Sequence, residues 1–145
     1  MSEKENIQLA EQAIAAVNAH DLDGYVNLID YSYIGESETA PGPILGPEGA
    51  RQNMNLMLTA FPDVRLDIEQ ILASGDHVMV RARVSGTHRG TFAGVAPTNK
   101  SVSWGVCTVV EVRNGKVIRG RTYGENLNLL RRLGVLSLPK AATAQ

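Results

Sequence analysis

The chain has little cysteine, few aromatic residues and no long apolar run. Its one cysteine, Cys107, excludes an internal disulfide and suits a reducing compartment. No segment approaches the roughly 20 apolar residues of a membrane-spanning helix. The polar first residues, 1–6, lack the apolar core of a signal peptide. These features predict a cytoplasmic protein that does not enter a membrane.

Neither positive nor negative charge is in excess. The chain has 14 Lys and Arg and 15 Asp and Glu, which gives a net charge of -1. This balance excludes a polybasic surface and disfavours nucleic acid or an anionic membrane as a partner. No spacing of His, Cys, Asp and Glu suggests a metal site. The length of 145 residues predicts one domain, residues 1–138, followed by a flexible tail, residues 139–145.

The first half of the chain has the features of helices. An apolar stripe at helical spacing predicts a first helix, carried by Ile7, Ala10, Ile14 and Val17. Asp21 can cap a short second helix that reaches Ile29. Proline and glycine then predict a loop over residues 35–47, and a third helix begins at Gly46 and ends at Pro62.

The second half of the chain has the features of strands. Apolar and charged residues alternate in four runs that turn signals separate, and Asn114-Gly115 is the strongest short hairpin signal among them. Short turns between consecutive strands predict an antiparallel meander. Its apolar face must be covered, and the three helices are available to cover it, so the predicted fold class is α+β.

Two stretches of the sequence match a known pattern. They are residues 86–98, GTHRGTFAGVAPT, and residues 114–118, NGKVI, which Tyr123 and residues 129–134, LLRRLG, follow at the matching distance. Over roughly residues 5 to 135 the chain resembles the SnoaL-like family, which is named for a polyketide cyclase and belongs to the nuclear-transport-factor-2-like superfamily. The resemblance implies a cone-shaped fold, in which a curved antiparallel sheet wraps around the N-terminal helices and encloses a pocket.

The resemblance also implies a reaction, from which this chain departs. Cyclases of the family close a ring by an intramolecular aldol reaction, without a metal or cofactor, using an aspartate on the last strand and a histidine on its neighbour. Here these positions fall on Thr122 and Thr108, whose hydroxyls cannot accept a proton near neutral pH. A second carboxylate of the family, near the start of the last helix, matches Glu125.

Each of these candidates has a structural alternative. Thr108 and Thr122 lie on the inward face of paired strands, where they either orient a substrate or bond each other as ordinary strand residues. Glu125 is either a general base at the pocket mouth or a carboxylate that interacts with a helix dipole. His88 is either a substrate-contacting proton shuttle or the residue that holds the following loop.

Four further residues are predicted to form the pocket wall. Tyr33 and Asn53 fall where the resemblance implies polar groups that donate hydrogen bonds. Trp104 and Met57 are candidates for an adaptable apolar wall around a planar ligand. The alternative for Trp104 and Met57 is an ordinary place in the core.

The leading functional hypothesis is a cofactor-independent SnoaL-like enzyme that acts by proton transfer on a small apolar polyketide-like carbonyl compound, through cyclisation, isomerisation or hydration. The alternatives are a small-molecule binding protein without catalysis and a helper component of a hydroxylation pathway. A homodimer is expected through the outward sheet face, where the predicted strands place arginines: Arg81, Arg83, Arg119 and Arg121.

Overall fold

The computed structural model describes residues 2–137 and Pro139. The predicted tail, residues 139–145, lies outside the described residues except for Pro139, so it stays a prediction. The elements follow the order α1 (Glu3–Asn18), α2 (Leu22–Val26), β1 (Ile29–Ser37), β2 (Ile44–Leu45), α3 (Gly46–Ala60), β3 (Arg65–Ser74), β4 (His77–Thr87), β5 (Ser101–Arg113), β6 (Lys116–Gly124) and α4 (Asn126–Arg132).

Helix α1 begins with a capping box. The Ser2 hydroxyl accepts a hydrogen bond from the Glu5 backbone N–H, and the Glu5 carboxylate accepts one from the Ser2 N–H, both at 3.1 Å. The two bonds satisfy donors that a helix start leaves free. Ala10 and Val17 of the apolar stripe are buried, and the helix packs against β3 and β4. The predicted first helix is therefore confirmed.

The six strands form one curved, unclosed sheet with the order β2-β1-β6-β5-β4-β3. The four strands from β3 to β6 pair with their chain neighbours in antiparallel fashion. This arrangement confirms the predicted meander and the α+β fold class. Asn114 and Gly115 have φ angles of 51° and 74°, which is the turn geometry their identities predict.

Strand β1 is the element that the sequence analysis missed. It pairs in parallel with β6, for example through Gly35 opposite Gly120. Ile29 therefore begins a strand, and the prediction that it extends the second helix is wrong because α2 ends at Val26. The predicted loop over 35–47 likewise contains the end of β1 and the short β2. Its polar residues and glycine do not show the apolar alternation that is typical of a strand. The strand is stabilised instead by pairing with a segment distant in sequence.

The two faces of the sheet differ as the alternation predicts. Strand β4 buries its inward side chains, which are Val78, Val80, Ala82 and Val84. The outward side chains of β4 include Arg81 and Arg83, and Arg81 is exposed. The inward face is thus an apolar surface toward α1 and α3.

The connection between β4 and β5 is tied to the end of α3. The N–H groups of Arg89 and Gly90 donate to the Ala60 carbonyl at 2.8 and 3.2 Å, which satisfies an acceptor that a helix end leaves free. A Cβ at Gly90 would collide with the carbonyl oxygen of Thr59. The close approach of these two backbones therefore requires glycine at position 90.

Replacement of Gly90 by alanine is expected to destabilise the fold by about 1–3 kcal/mol, because the added methyl group forces the loop away from α3. Gly42→Ala is the matched control, since a Cβ at Gly42 meets no atom within 4 Å. The control should stay within about 0.5 kcal/mol of the wild-type chain. Urea unfolding followed by circular dichroism measures both variants. Equal stability of the two variants would show that the loop does not depend on this contact.

Candidate functional site

A cavity of about 710 Å³ lies between the inward face of the sheet and helices α1 and α3. Its helical side is apolar and includes Ala13, Ile14 and Met54. Its exposed lining residues come from the end of β1 and the β1–β2 connection, from α3 and from the β4–β5 connection, and they include Glu38, Leu56 and Thr91. These three segments frame the mouth of the cavity.

Trp104 and Met57 belong to the cavity wall and to the core at once. Both line the cavity, and both pack in the cluster that contains Phe61 and Phe92. The ring centroids of Trp104 and Phe61 are 5.3 Å apart, and those of Phe61 and Phe92 are 5.1 Å apart. The aromatic cluster therefore gives this part of the cavity a fixed apolar surface.

Thr108 and Thr122 meet on the sheet side of the cavity. They are direct cross-strand partners in β5 and β6, and their Oγ1 atoms are 2.9 Å apart, within hydrogen-bond distance. Both residues line the cavity, as do Val106 and Val110 on the same face of β5. A pair of neutral hydroxyls thus occupies the positions that the resemblance associates with acid–base groups. Their part in ligand binding stays a prediction.

Tyr33 is a buried phenol in the wall of the same cavity. Burial raises the pKa of Tyr33 well above its usual range, and the neighbouring Tyr25 raises it further. Its hydroxyl lies over Gly35 and Gly120, and a Cβ at Gly120 would be 2.9 Å from that oxygen. The two glycines therefore give the phenol its space, and burial keeps it a neutral hydrogen-bond donor.

Asn53 also lines the cavity, from helix α3. Together with Tyr33, Thr108 and Thr122, it belongs to the polar lining of an otherwise largely apolar space. Six of the eight site residues predicted from the sequence therefore surround one cavity. The two exceptions are Glu125 and His88.

Glu125 is not among the residues that line the cavity. Its Oε1 accepts a hydrogen bond from the Gly105 N–H at 2.6 Å and lies 3.5 Å from Nη2 of Arg83. Arg83 is an outward residue of β4, so the Glu125 carboxylate lies over the outward face of the sheet. The prediction of a general base at the pocket mouth is corrected accordingly, because the carboxylate is held on the side away from the cavity.

His88 also lies away from the cavity lining and is fully buried. Its Nδ1 accepts a hydrogen bond from the Thr98 N–H at 3.2 Å, which assigns the ring proton to Nε2. Its backbone also bonds Lys100 and Asn99. The predicted substrate contact is corrected, and the geometry favours the alternative in which His88 holds the loop before β5.

The sequence analysis missed several polar residues at the cavity, among them Ser37, Glu38 and Asn126. Nδ2 of Asn126 donates to Oε1 of Glu38 at 2.7 Å, and this bond joins the β1–β2 connection to the start of α4. Glu36 also borders the cavity, but its carboxylate pairs with Arg121 at 3.2 Å. Ser37 lies on the same face of β1 as Tyr33. A prediction of β1 as a strand would therefore have placed Ser37 at the cavity.

Metal-ligand clusters and membrane-spanning helices were sought among residues 2–137 and 139. No group of three or more His, Cys, Asp and Glu side chains among them is arranged to hold a metal ion. No helix in this part of the chain is long and apolar enough to cross a membrane. The predicted absence of a metal and a cofactor stays a prediction.

Comparison with solved structures finds the same architecture in other proteins. AclR, a candidate hydroxylase from Streptomyces galilaeus, is 33% identical, and the match covers 96% of this chain and 87% of AclR with a TM-score of 0.82. A candidate SnoaL-like polyketide cyclase from Jannaschia is 22% identical, with coverage of 93% and 95% and a TM-score of 0.83. IdmH, a candidate polyketide cyclase from Streptomyces antibioticus, is 25% identical, with coverage of 90% and 99% and a TM-score of 0.78.

The curved sheet, the helices beneath it and these neighbours define a protein of the nuclear-transport-factor-2-like fold. The sequence pattern described as SnoaL-like polyketide cyclase matches residues 7–133, so the chain belongs to the SnoaL-like polyketide cyclase family. This match confirms the resemblance that the sequence motifs indicated. No curated protein matches the sequence.

The raised pKa of Tyr33 leads to a spectroscopic prediction. The folded chain and a Tyr33→Phe variant should gain the same tyrosinate absorbance up to about pH 10, the ordinary pKa of tyrosine, and differ only at higher pH. The folded state favours the neutral phenol. The contribution of Tyr33 to the free energy of unfolding is therefore present below about pH 10 and is lost as the pH rises further. A smaller signal at pH 10 in the variant than in the wild-type chain would contradict the prediction, and Tyr25, whose pKa burial also raises, contributes to neither signal there.

Proposed function

We propose that the chain binds a small, largely apolar, polyketide-like carbonyl compound in the cavity and catalyses proton transfer on it without a cofactor. Cyclisation, isomerisation or hydration of the compound would follow from that transfer. The observation that carries the proposal is the hydroxyl pair of Thr108 and Thr122 on an otherwise largely apolar cavity surface. Such a surface fits a ligand that is mostly hydrocarbon and carries a few oxygen atoms.

The size and lining of the cavity support this class of ligand. A volume of about 710 Å³ falls within the usual range of sites for small molecules. Contact with Trp104 and Met57 removes apolar ligand surface from water, which provides the main driving force for binding. The flat ring of Trp104 suits a planar ligand, and the flexible Met57 side chain adapts to its outline.

Tyr33 supplies the group that activates the carbonyl. The phenol is neutral near pH 7, its raised pKa extends the neutral form further into the alkaline range, and it donates a hydrogen bond to the carbonyl oxygen. That bond strengthens as negative charge moves onto the oxygen during removal of a proton from the adjacent carbon. The Thr108 and Thr122 hydroxyls then orient the ligand relative to Tyr33.

Glu38 is the proton acceptor in this proposal and takes the role that Glu125 was predicted to have. It lines the cavity, and the hydrogen bond from Asn126 holds its carboxylate at the mouth. Glu36 is a weaker candidate because Arg121 pairs with it. The Glu38 carboxylate removes a proton from the carbon next to the carbonyl and returns it to the product, so the chain ends unchanged.

A hydroxylation component is the second candidate function. The observation that favours it is the 33% identity with AclR, which is described as a candidate hydroxylase. In that role the cavity would hold the compound while a separate protein supplied the oxidant. Hydroxylation of a bound compound only when a partner enzyme is added would favour this candidate over proton transfer.

Proton transfer can be tested with α-tetralone, a bicyclic aryl ketone whose carbon next to the carbonyl exchanges hydrogen for deuterium in heavy water. We expect the chain to accelerate this exchange, as measured by mass spectrometry. Glu38→Gln should lower the catalysed rate by about 100-fold or more, the usual contribution of a general base. Glu125→Gln, the same change outside the cavity, should leave the rate within about twofold.

Binding of the ketone is measured independently by tryptophan fluorescence. This is possible because Trp104 is the single tryptophan and lines the cavity. Ligand entry should change its fluorescence in the wild-type chain and in both variants. Binding without catalysed exchange would contradict the proposed catalysis and favour a binding protein. An equal loss of rate in Glu38→Gln and Glu125→Gln would contradict the assignment of Glu38.

We also propose that the chain works in the cytoplasm as a homodimer that pairs through the outward sheet face. Exposed apolar side chains on and beside this face would become buried on pairing, and they include Leu72, Val109 and Tyr123. The arginines of the same face are partly neutralised within the chain, since Arg83 lies 3.9 Å from Glu69 and 3.5 Å from Glu125. This neutralisation lowers the repulsion between two copies.

Light scattering at micromolar concentration should give twice the mass of one chain, and Val109→Glu should give the mass of one. The reason is that a carboxylate at Val109 would be buried without a partner in the dimer interface. Leu56→Glu is the control, because Leu56 is also exposed but lies on α3, on the inward side of the sheet. A wild-type chain that is a strict monomer would overturn this proposal.

A further inference from the structure

The start of helix α4 sends two consecutive side chains to opposite faces of the sheet. Glu125 lies over Gly105 on the outward face, whereas Asn126 lies over Gly124 at the cavity. A Cβ at Gly105 would be 2.6 Å from Oε1 of Glu125, and a Cβ at Gly124 would be 2.8 Å from Oδ1 of Asn126. Each glycine therefore leaves room for one of the two side chains.

Glu125 fixes the position of this helix start through two hydrogen bonds to one residue. Its backbone N–H donates to the Gly105 carbonyl at 2.9 Å, and its Oε1 accepts from the Gly105 N–H at 2.6 Å. Two bonds to a residue of the interior strand β5 restrict the backbone of Glu125, and they also restrict the backbone of Asn126, which follows it. Both bonds persist in Glu125→Gln, because glutamine keeps an acceptor oxygen.

The Asn126 amide reaches from this fixed helix start to Glu38 of the β1–β2 connection. Its Nδ2 donates to Oε1 of Glu38 at 2.7 Å. An ionised carboxylate can only accept hydrogen bonds, so the amide must present its nitrogen on this side. Within the described residues no hydrogen bond or ion pair occupies Oε2 of Glu38. One oxygen of the carboxylate is thus held, while the other is available to accept a proton.

The chemical nature of this donor matters, because an amide is neutral. A hydrogen bond from an amide fixes the direction of a carboxylate without adding an opposite charge. Glu36 shows the contrast, since Arg121 pairs with it at 3.2 Å. An opposite charge favours the ionised form of a carboxylate and therefore opposes the protonation that a proton acceptor must undergo. Of the two carboxylates, Glu38 is the one that is held without a cationic partner in the described part of the chain.

We propose that Asn126 is a positioning residue for Glu38 and holds its carboxylate in the orientation that removes a proton from the bound compound. The inference rests on the proposed function, in which Glu38 is the proton acceptor. Glu38 is exposed and belongs to a connection between strands, so without this bond its side chain would sample several rotamers. A carboxylate that spends less time in the reactive orientation transfers the proton more slowly, while the affinity for the compound stays the same.

Two variants remove the bond in different ways. Asn126→Ala deletes the amide, whereas Gly124→Ala displaces it from Glu38, because the new methyl group would collide with Oδ1 of Asn126. The φ angle of Gly124 is not positive, so alanine meets no backbone strain there. In the α-tetralone exchange, each variant should lower the rate at saturating ketone by about tenfold or more. The dissociation constant from Trp104 fluorescence should change by less than about twofold.

Two controls test whether any change nearby has the same effect. Asn128→Ala changes the same residue type on the same helix, and Gly42→Ala adds a Cβ that meets no atom within 4 Å. Neither residue lines the cavity, and both variants should keep the rate within about twofold of the wild-type chain. Melting temperatures of all four variants check that the fold persists.

A double variant distinguishes positioning from a general effect on the structure. Adding Asn126→Ala to Glu38→Gln should lower the rate no further than Glu38→Gln does alone, because no carboxylate remains to be positioned. The comparison is made at a chain concentration at which the residual rate of Glu38→Gln is measurable. If Asn126→Ala instead lowers the rate by the same factor in both backgrounds, its effect is structural and the inference is wrong.

The remaining outcomes separate the inference from the proposed function. If Glu38→Gln lowers the rate but Asn126→Ala and Gly124→Ala do not, the positioning role of Asn126 is wrong, while Glu38 keeps its assignment. If the wild-type chain does not accelerate the exchange, or if Glu38→Gln keeps the full rate, the proposed function fails, and the inference fails with it.

Discussion

The parallel pairing of β1 with β6 is the contact on which the candidate site depends. It places the Tyr33 phenol over Gly120 and sets Ser37 beside Thr122. Without this pairing the antiparallel meander would end at β6, whose unpaired backbone groups would form an exposed edge. One strand therefore protects the sheet and completes the polar part of the cavity wall.

The polar groups of the cavity are compatible with an apolar interior because they are paired. A buried hydroxyl without a partner costs free energy, and the bond between Thr108 and Thr122 offsets much of that cost in the empty cavity. The carboxylates behave differently, since Glu38 and Glu36 remain exposed at the mouth. The chain thus keeps full charges near water and places neutral donors deeper, where the carbonyl of a ligand would lie.

Those parts of the fold that depend on local sequence signals were predictable. The apolar stripe of α1, the Asn114-Gly115 turn and the alternation in β4 each need only a few neighbouring residues, and the structure contains all three. The inward orientation of Thr108 and Thr122 followed from the same alternation. The mutual bond of these two residues was one of the two alternatives that the sequence left open.

The missed features depend on contacts between distant segments. Strand β1 has no clear apolar alternation, and its partner β6 lies near the other end of the chain. Sequence position set Glu125 correctly at the start of α4, but the Gly105 N–H decides which face its carboxylate takes. His88 was likewise found by its motif, whereas its burial is set by the loop that folds back on Ala60.

The contact between Thr108 and Thr122 has a consequence for how this scaffold can change its chemistry. Because the two oxygens touch, a carboxylate introduced at either position would receive a hydrogen bond from the hydroxyl that remains. Such a bond stabilises the charged form, so it would counteract the burial that raises the pKa of a carboxyl group. A single substitution could therefore convert a neutral recognition surface into a titratable centre whose basicity its neighbour already controls.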